Sequence, residues 1–173
     1  MTLTPAGRSV DVATGRGFDA CYAANYDRLT AQLYAYIGDL TEAQDVVQEA
    51  FTRAWPRWDT IEQYDDPVAW VRRVAWNLAR SRWRRVATAV AFARRQRPEN
   101  TAGPTPDRVA LVAALATLPV VQRRAMILHY LGGRTVSEIA EDCDTSEGTV
   151  KSWLHRGRGA LATYFGDGEG GGL

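Results

Sequence analysis

Cysteine is scarce in this chain of 173 residues: Cys21 and Cys143 stand far apart, with no CxxC pair and no Cys/His cluster. That spacing indicates neither a disulfide framework nor a zinc site, and both residues read as core thiols. Histidine is equally rare, and His129 and His155 cannot by themselves form a catalytic or metal constellation. No apolar run approaches the roughly 18 residues that a membrane span needs, and no charged-then-apolar leader opens the chain. A reducing cytoplasm is therefore the expected compartment. No stretch alternates with period two, so strands are not expected. A P-loop, an HExxH and a nucleophile with its base and orienting partner are missing too, so the chain is not expected to be an enzyme or to need a cofactor or metal.

What is present is ordinary in amount and uneven in placement. An apolar fraction of 46% suffices to bury a core, and the formal net charge is only +1. The whole molecule is thus no basic nucleic-acid binder, and any such affinity must come from local asymmetry. Residues 68 to 86 carry Arg72, Arg73, Arg80, Arg82, Arg84 and Arg85 and no acid. Residues 39 to 49 carry Asp39, Glu42, Asp45 and Glu49 and no base. Two segments of opposite sign suggest two different partners.

Periodicity divides the chain into two helical blocks, and a fold that is all-α follows. The first sixteen residues and the glycine-rich end from Gly166 to Leu173 read as mobile tails, and that end argues against a further C-terminal regulatory domain. Phe18, Tyr22, Tyr26, Leu29, Leu33 and Ile37 mark a first helix that Gly38 ends. Thr41 and Gln44 have capping-box spacing ahead of Ala43, Val46, Val47, Ala50, Phe51 and Ala54. Pro56 stops or kinks that second helix, with Trp55 and Trp58 packing nearby, and a loop of about eight residues follows. Asp66-Pro67 then reads as an N-cap with proline at the first helical position. The third helix has a core stripe of Val71, Val74, Ala75 and Leu78, and a second face of Arg73, Trp76, Asn77, Arg80 and Arg84. Residues 94 to 106, RRQRPENTAGPTP, form a flexible linker between small helical domains at 17–93 and 107–166.

The second block starts at Thr105-Pro106, another cap followed by proline. Val109, Val112 and Leu115 give apolar spacing up to Leu118, and Pro119 starts a helix with Val121, Ala125 and Leu128 inward. That helix ends at Gly132-Gly133, a left-handed exit. Thr135 to Leu161 then reads as a helix-turn-helix. Thr135 and Glu138 have capping-box spacing, and Val136, Ile139, Ala140 and Cys143 recur at helical intervals. Cys143-Asp144-Thr145 breaks the pattern, and Ser146 caps a second helix with Val150, Trp153, Leu154 and Leu161 inward. Glu147, Thr149, Lys151, Ser152 and His155 stay outward, where short polar side chains can read base edges in a major groove. An ordinary helical hairpin that closes a bundle would show the same apolar periodicity.

Taken together, these segments resemble the sigma-70 family of bacterial transcription initiation factors, and within it the small extracytoplasmic-function (ECF) group. DLTEAQDVVQEAFTRAWPRW at 39 to 58 resembles the family's region for docking on core polymerase, and DPVAWVRRVAWNLARSRWRR at 66 to 85 its promoter −10 region. LATLPVVQRRAMILHYLGGRTVSEIAEDCDTSEGTVKSWLHRGRGAL at 115 to 161 resembles its −35-reading domain. The resemblance implies as partners core RNA polymerase, through the clamp coiled coil of the largest subunit and the flap, promoter DNA, and an anti-sigma factor of the kind that commonly accompanies the group. It places Asp45, Gln48, Glu49 and Arg53 at the core-docking surface. In the −10 region it implies that the loop Thr60 to Asp66, with Asp65 and Asp66, receives a flipped base, and that Asn77 faces DNA. Arg73, Arg80 and Arg84 become backbone contacts, which position rather than specify. Trp70 and Trp76 read as core aromatics, while Trp83 is open to core packing or stacking. For the −35 element it implies Ser146, Glu147, Thr149, Lys151 and Ser152 at the groove, with Arg156 and Arg158 on phosphates.

Two features depart from the family pattern. The usual glycine of the helix-turn-helix turn is replaced by Cys143-Asp144-Thr145, and Gly157 and Gly159 weaken the last helix by roughly 1 kcal/mol each relative to alanine. The competing readings are a stand-alone helix-turn-helix regulator, which has no use for the acidic docking helix, and a protein-only helical adaptor, which leaves the arginines of residues 68 to 86 unexplained.

Overall fold

A computed structural model describes the backbone of residues 12–93 and 105–166 and the side chains of residues 17–83 and 105–166. The described residues are helical, without strands, in the order α1 (Val12–Ile37), α2 (Leu40–Ala54), α3 (Trp58–Ile61) and α4 (Pro67–Ala93), then α5 (Pro106–Ala116), α6 (Val120–Met126), α7 (Val136–Asp142) and α8 (Glu147–Gly166). A short 3-10 turn, Trp55–Arg57, joins α2 to α3, and a π-helical segment, Ile127–Leu131, extends α6. Most of the sequence expected to link the units, residues 94 to 104, lies outside the described residues, as do residues 1–11 and 167–173. Residues 12 to 16, read as tail from their composition, belong to α1.

In the N-terminal unit α1, α2 and α4 pack together over Leu29, Leu33, Val46, Val47, Phe51, Trp58, Ile61, Val71 and Ala75. Aromatic edges close one end: Phe18 meets Phe51, Trp55 and Trp58 in edge-on geometry at centroid distances of 5.9, 4.8 and 5.3 Å. Gly38, at φ +85, turns the chain between α1 and α2. The cap of α2 is Asp39 rather than the expected Thr41: its Oδ1 accepts from the Glu42 amide at 3.0 Å. Asp39 wins because it already sits in extended backbone, φ −128 and ψ 121, while Thr41 lies inside the helix. Part of the expected loop after Trp58 is the single turn α3. Asp66 caps α4 as expected, accepting from the Ala69 amide at 3.1 Å.

The C-terminal unit is smaller and uses polar anchors where apolar volume runs short. Leu115, Leu118, Ala125, Met126, Leu128, Ile139, Val150 and Leu154 are buried, but Val121, expected inward, is exposed. Two residues further along α6, on the opposite side of the helix, Arg123 faces the core with its guanidinium buried. It donates to the carbonyls of Ala116 at 2.8 Å and Leu118 at 3.3 Å, and so holds the α5–α6 corner together. The Gly132 amide reaches back to Ile127 and the Arg134 amide to Leu128, and Gly133 at φ +65 makes the left-handed exit. Gly157 is no mere weak point in α8: a Cβ there would lie 2.8 Å from Met126 Cγ, so its absence lets α8 approach α6.

Candidate nucleic-acid interface

The acidic helix α2 presents an amphipathic pattern whose outward side holds Asp45, Gln48 and Arg53 in solvent and Glu49 at its edge. Glu49 is engaged from both sides. Its Oε1 accepts from Arg53 Nη2 at 2.6 Å, one turn along, and its Oε2 accepts from Arg82 Nη2 on α4 at 2.5 Å. Arg82 also donates through Nη1 to Glu42 at 3.2 Å. Partial burial works to lower the pKa of Arg82, but the hydrogen bonds and charges of Glu42 and Glu49 outweigh it and raise it. One of the arginines counted in the basic segment is thus neutralised within the fold. No sequence signal local to Arg82 reveals this, because its partners lie 33 and 40 residues away.

On α4 the outward row is Arg73, Asn77 and Arg80, all exposed and spaced to share one helical face. The side chain of Arg84 lies outside the described residues. Trp76, read as a core aromatic, is buried, edge-on to Tyr36 at 5.0 Å and with the Arg124 guanidinium over its ring at 5.4 Å. Trp70 is half-buried against the core, and Trp83 is half-buried, tilted at 6.4 Å from Tyr36 with Arg123 over it at 5.7 Å. At the N-terminal end of α4 the loop carries Tyr64 and Asp65 in solvent. Tyr64, 48% exposed, was not singled out by sequence, although an aromatic beside two aspartates in a short polar loop is a signal worth using. Asp66 is held by its capping role and lies 3.6 Å from Arg72 Nη2.

The helix-turn-helix forms as its caps dictate. Thr135 Oγ1 accepts from the Glu138 amide at 3.2 Å and Glu138 Oε2 accepts from the Thr135 amide at 2.8 Å, a reciprocal box. The Thr135 amide is the main cause that lowers the Glu138 carboxyl pKa. In the turn Asp144 takes φ +50, the left-handed conformation that its short polar side chain tolerates, and the Thr145 amide closes back on Ala140 at 2.9 Å. Cys143 is half-buried there, and burial raises its thiol pKa. Ser146 Oγ accepts from the Thr149 amide at 3.2 Å and lies 2.9 Å from the Thr149 hydroxyl.

From that cap α8 runs 20 residues. Glu147, Lys151, Ser152, His155 and Arg156 lie in solvent on its first turns, with Lys151 Nζ 3.6 Å from Glu147. Arg158, also exposed, donates to the Tyr130 hydroxyl at 3.2 Å. The helix buries Val150 and Leu154 on its other side, which fixes which residues it offers outward. Two polar helix faces therefore exist, one on α4 and one on α8, carried by different units. Among the described residues no group of acidic, His and Cys side chains could hold a metal ion, and no helix is long and apolar enough to cross a membrane.

Comparison with known proteins gives these faces a context. The sequence model of Sigma-70 region 2 matches residues 21–88, and that of Sigma-70, region 4 matches residues 108–161. The chain is 34% identical over 148 residues to the ECF RNA polymerase sigma factor SigL of Mycobacterium tuberculosis, covering 79% of this chain and 84% of that protein. It is 32% identical over 143 residues to the RNA polymerase sigma-E factor of Streptomyces coelicolor, covering 80% of each. Its fold resembles that of RpoE, solved with the anti-sigma factor NepR from Bartonella quintana, at TM-score 0.69 and 24% identity over 86% of this chain and 96% of that one. CnrH, solved with the cytosolic domain of CnrY, gives TM-score 0.67 at 22% identity, over 88% and 90%. With two regions matched in order and identities above 30% across most of both chains, the protein belongs to the sigma-70 family of RNA polymerase sigma factors, in its ECF group.

Proposed function

We propose that the chain lends promoter recognition to core RNA polymerase through three surfaces divided between a domain at 17–93 and another at 107–166. Asp45, Gln48, Glu49 and Arg53 on α2 dock the polymerase clamp, and the C-terminal domain meets the flap. Arg73, Asn77, Arg80 and Arg84 on α4, with Asp65 and Asp66 in the preceding loop, handle the −10 element. Ser146, Glu147, Thr149, Lys151 and Ser152 read the −35 element, with Arg156 and Arg158 on phosphates. The protein supplies no bond-making chemistry; the polymerase does. It acts in the cytoplasm beside the chromosome, and an anti-sigma factor is a further partner, as in the solved relatives.

The observation that carries this reading is the pair of exposed polar faces on separate units, since a stand-alone helix-turn-helix regulator needs only the second. Strand opening at the −10 element requires a base to leave the stack, at a cost of a few kcal/mol. Exposed Tyr64 offers a stacking platform of about 1–3 kcal/mol, and cationic side chains hold the displaced backbone.

The test is promoter binding by holoenzyme across a salt series. Arg80→Ala should weaken binding and reduce the salt slope by about one counterion, whereas Arg82→Ala should leave the slope unchanged because its charge is engaged by Glu42 and Glu49. Tight, specific footprinting of a palindromic duplex by the chain alone would sink the sigma reading in favour of a regulator.

A further inference from the structure

Arg82 stands inside the arginine-rich segment, midway between Arg80 and Arg84, yet both of its terminal nitrogens are taken by acids of α2. Nη1 donates to Glu42 Oε2 at 3.2 Å and Nη2 to Glu49 Oε2 at 2.5 Å. Glu49 has a second cation, Arg53, and the two are not equivalent. The Arg53 side chain is 55% exposed and lies on the same helix as Glu49, and an exposed pair at that spacing contributes little and holds neither side chain firmly. The Arg82 side chain is 27% exposed, reaches Glu49 from α4, and is held a second time by Glu42. Arg82 therefore fixes the Glu49 carboxylate against the fold, whatever Arg53 does.

A carboxylate held in this way can still receive a partner. Its two oxygens offer about four lone-pair sites, and Arg53 and Arg82 each take one. Ordering a rotamer-rich side chain at an interface costs binding free energy, and a side chain already ordered in the free protein escapes that cost. The charge of Arg82 acts in the opposite sense, because it offsets part of the pull of Glu42 and Glu49 on an incoming cation. That pull is screened over about 10 Å at ordinary salt, so the orientation of Glu49 at contact decides the balance.

We propose that Arg82 is a positioning residue of the core-docking surface: from α4 it sets the Glu49 carboxylate in the orientation that core polymerase receives, and it makes no contact with DNA. This rests on the assignment of Glu49 to core docking given above. A residue of the basic segment thus serves the partner of the acidic one.

With helicity checked by far-ultraviolet circular dichroism, the full chain carrying Arg82→Ala should bind core polymerase roughly three- to tenfold more weakly than wild type in a fluorescence titration. Arg82→Lys should recover part of the loss, since an ammonium can hold one carboxylate but lacks the fork that holds two. In a Glu49→Gln background, itself weakened, Arg82→Ala should change core affinity by less than about twofold. Thermal stability should still fall in that background, because the pair with Glu42 is lost there too. Arg82→Gln, which keeps much of the stem, takes the place of the alanine variant if that one does not fold. An equal loss of core affinity in both backgrounds overturns the proposal, because Arg82 would then act on the fold at large. So does core binding by Arg82→Ala that is unchanged or tighter while Glu49→Gln weakens it. A reduced salt slope of promoter binding by the Arg82→Ala holoenzyme would make Arg82 a phosphate contact and overturn it as well. Unchanged core binding by Glu49→Gln would remove the docking role of Glu49, and with it anything for Arg82 to position.

Discussion

The two units solve the same packing problem with different materials. The N-terminal one closes its helices over large side chains, with Phe51, Trp58 and Tyr36 almost fully buried and ring edges meeting ring faces. The C-terminal one has short helices and smaller residues, and relies on a buried guanidinium, reciprocal caps and a glycine that admits its neighbour. Apolar contact tolerates small shifts because dispersion is non-directional, whereas hydrogen bonds and close approaches are lost over tenths of an ångström. Single substitutions should therefore hurt the C-terminal unit more sharply.

The comparison breaks most visibly at Arg123. Arg123→Ala removes the guanidinium donor from the carbonyls of Tyr36, Ala116 and Leu118 and should cost about 3 kcal/mol in urea titration. Arg123→Lys should not restore it, since a point charge lacks the planar fork. A loss under 1 kcal/mol would mean that the corner is held by apolar contact after all.

The glycines of α8 sharpen it next. Gly157→Ala forces Met126 to yield and should cost about 1 kcal/mol net, while Gly159→Ala, with open space around it, should gain about 0.5–1 kcal/mol. Equal signs in thermal melts would refute the close-approach account.

The smallest effect belongs to the α7 cap. Thr135→Ala, at an exposed cap, should cost about 0.5 kcal/mol. Because the folded Glu138 carboxyl titrates below its ordinary 4.5, its contribution is present above that pH and fades as pH falls through the folded value. Glu138→Gln should flatten the acid limb of stability against pH; parallel limbs would refute this.

Helix existence was legible because it depends on neighbours: the Val46, Val47, Ala50, Phe51 stripe and the Thr135–Glu138 box are local patterns, and both appear as read. So was the exposure of Arg73, Asn77 and Arg80, which follows from the stripe opposite. What periodicity could not supply was anything decided by a distant partner. Trp83, open to packing or stacking from the sequence, lies half-buried because Tyr36 and Arg123 receive it, and Arg82 leaves the pool of free charges because α2 claims it. Val121, expected inward, is exposed while Arg123 is buried, because the α5–α6 corner has carbonyls in need of a donor. Counting arginines located the basic segment and overstated how many of them can meet a phosphate.

Arg82 also has a mechanical meaning. Glu42 and Glu49 lie two turns apart on α2, about 10 Å along its axis, and both grip one guanidinium on α4. Two anchor points on one beam resist twisting as well as sliding, so α2 and α4 are cross-braced like members of a truss. A load applied to one helix is carried into the other as rigid rotation, without waiting for the loop between them to transmit it.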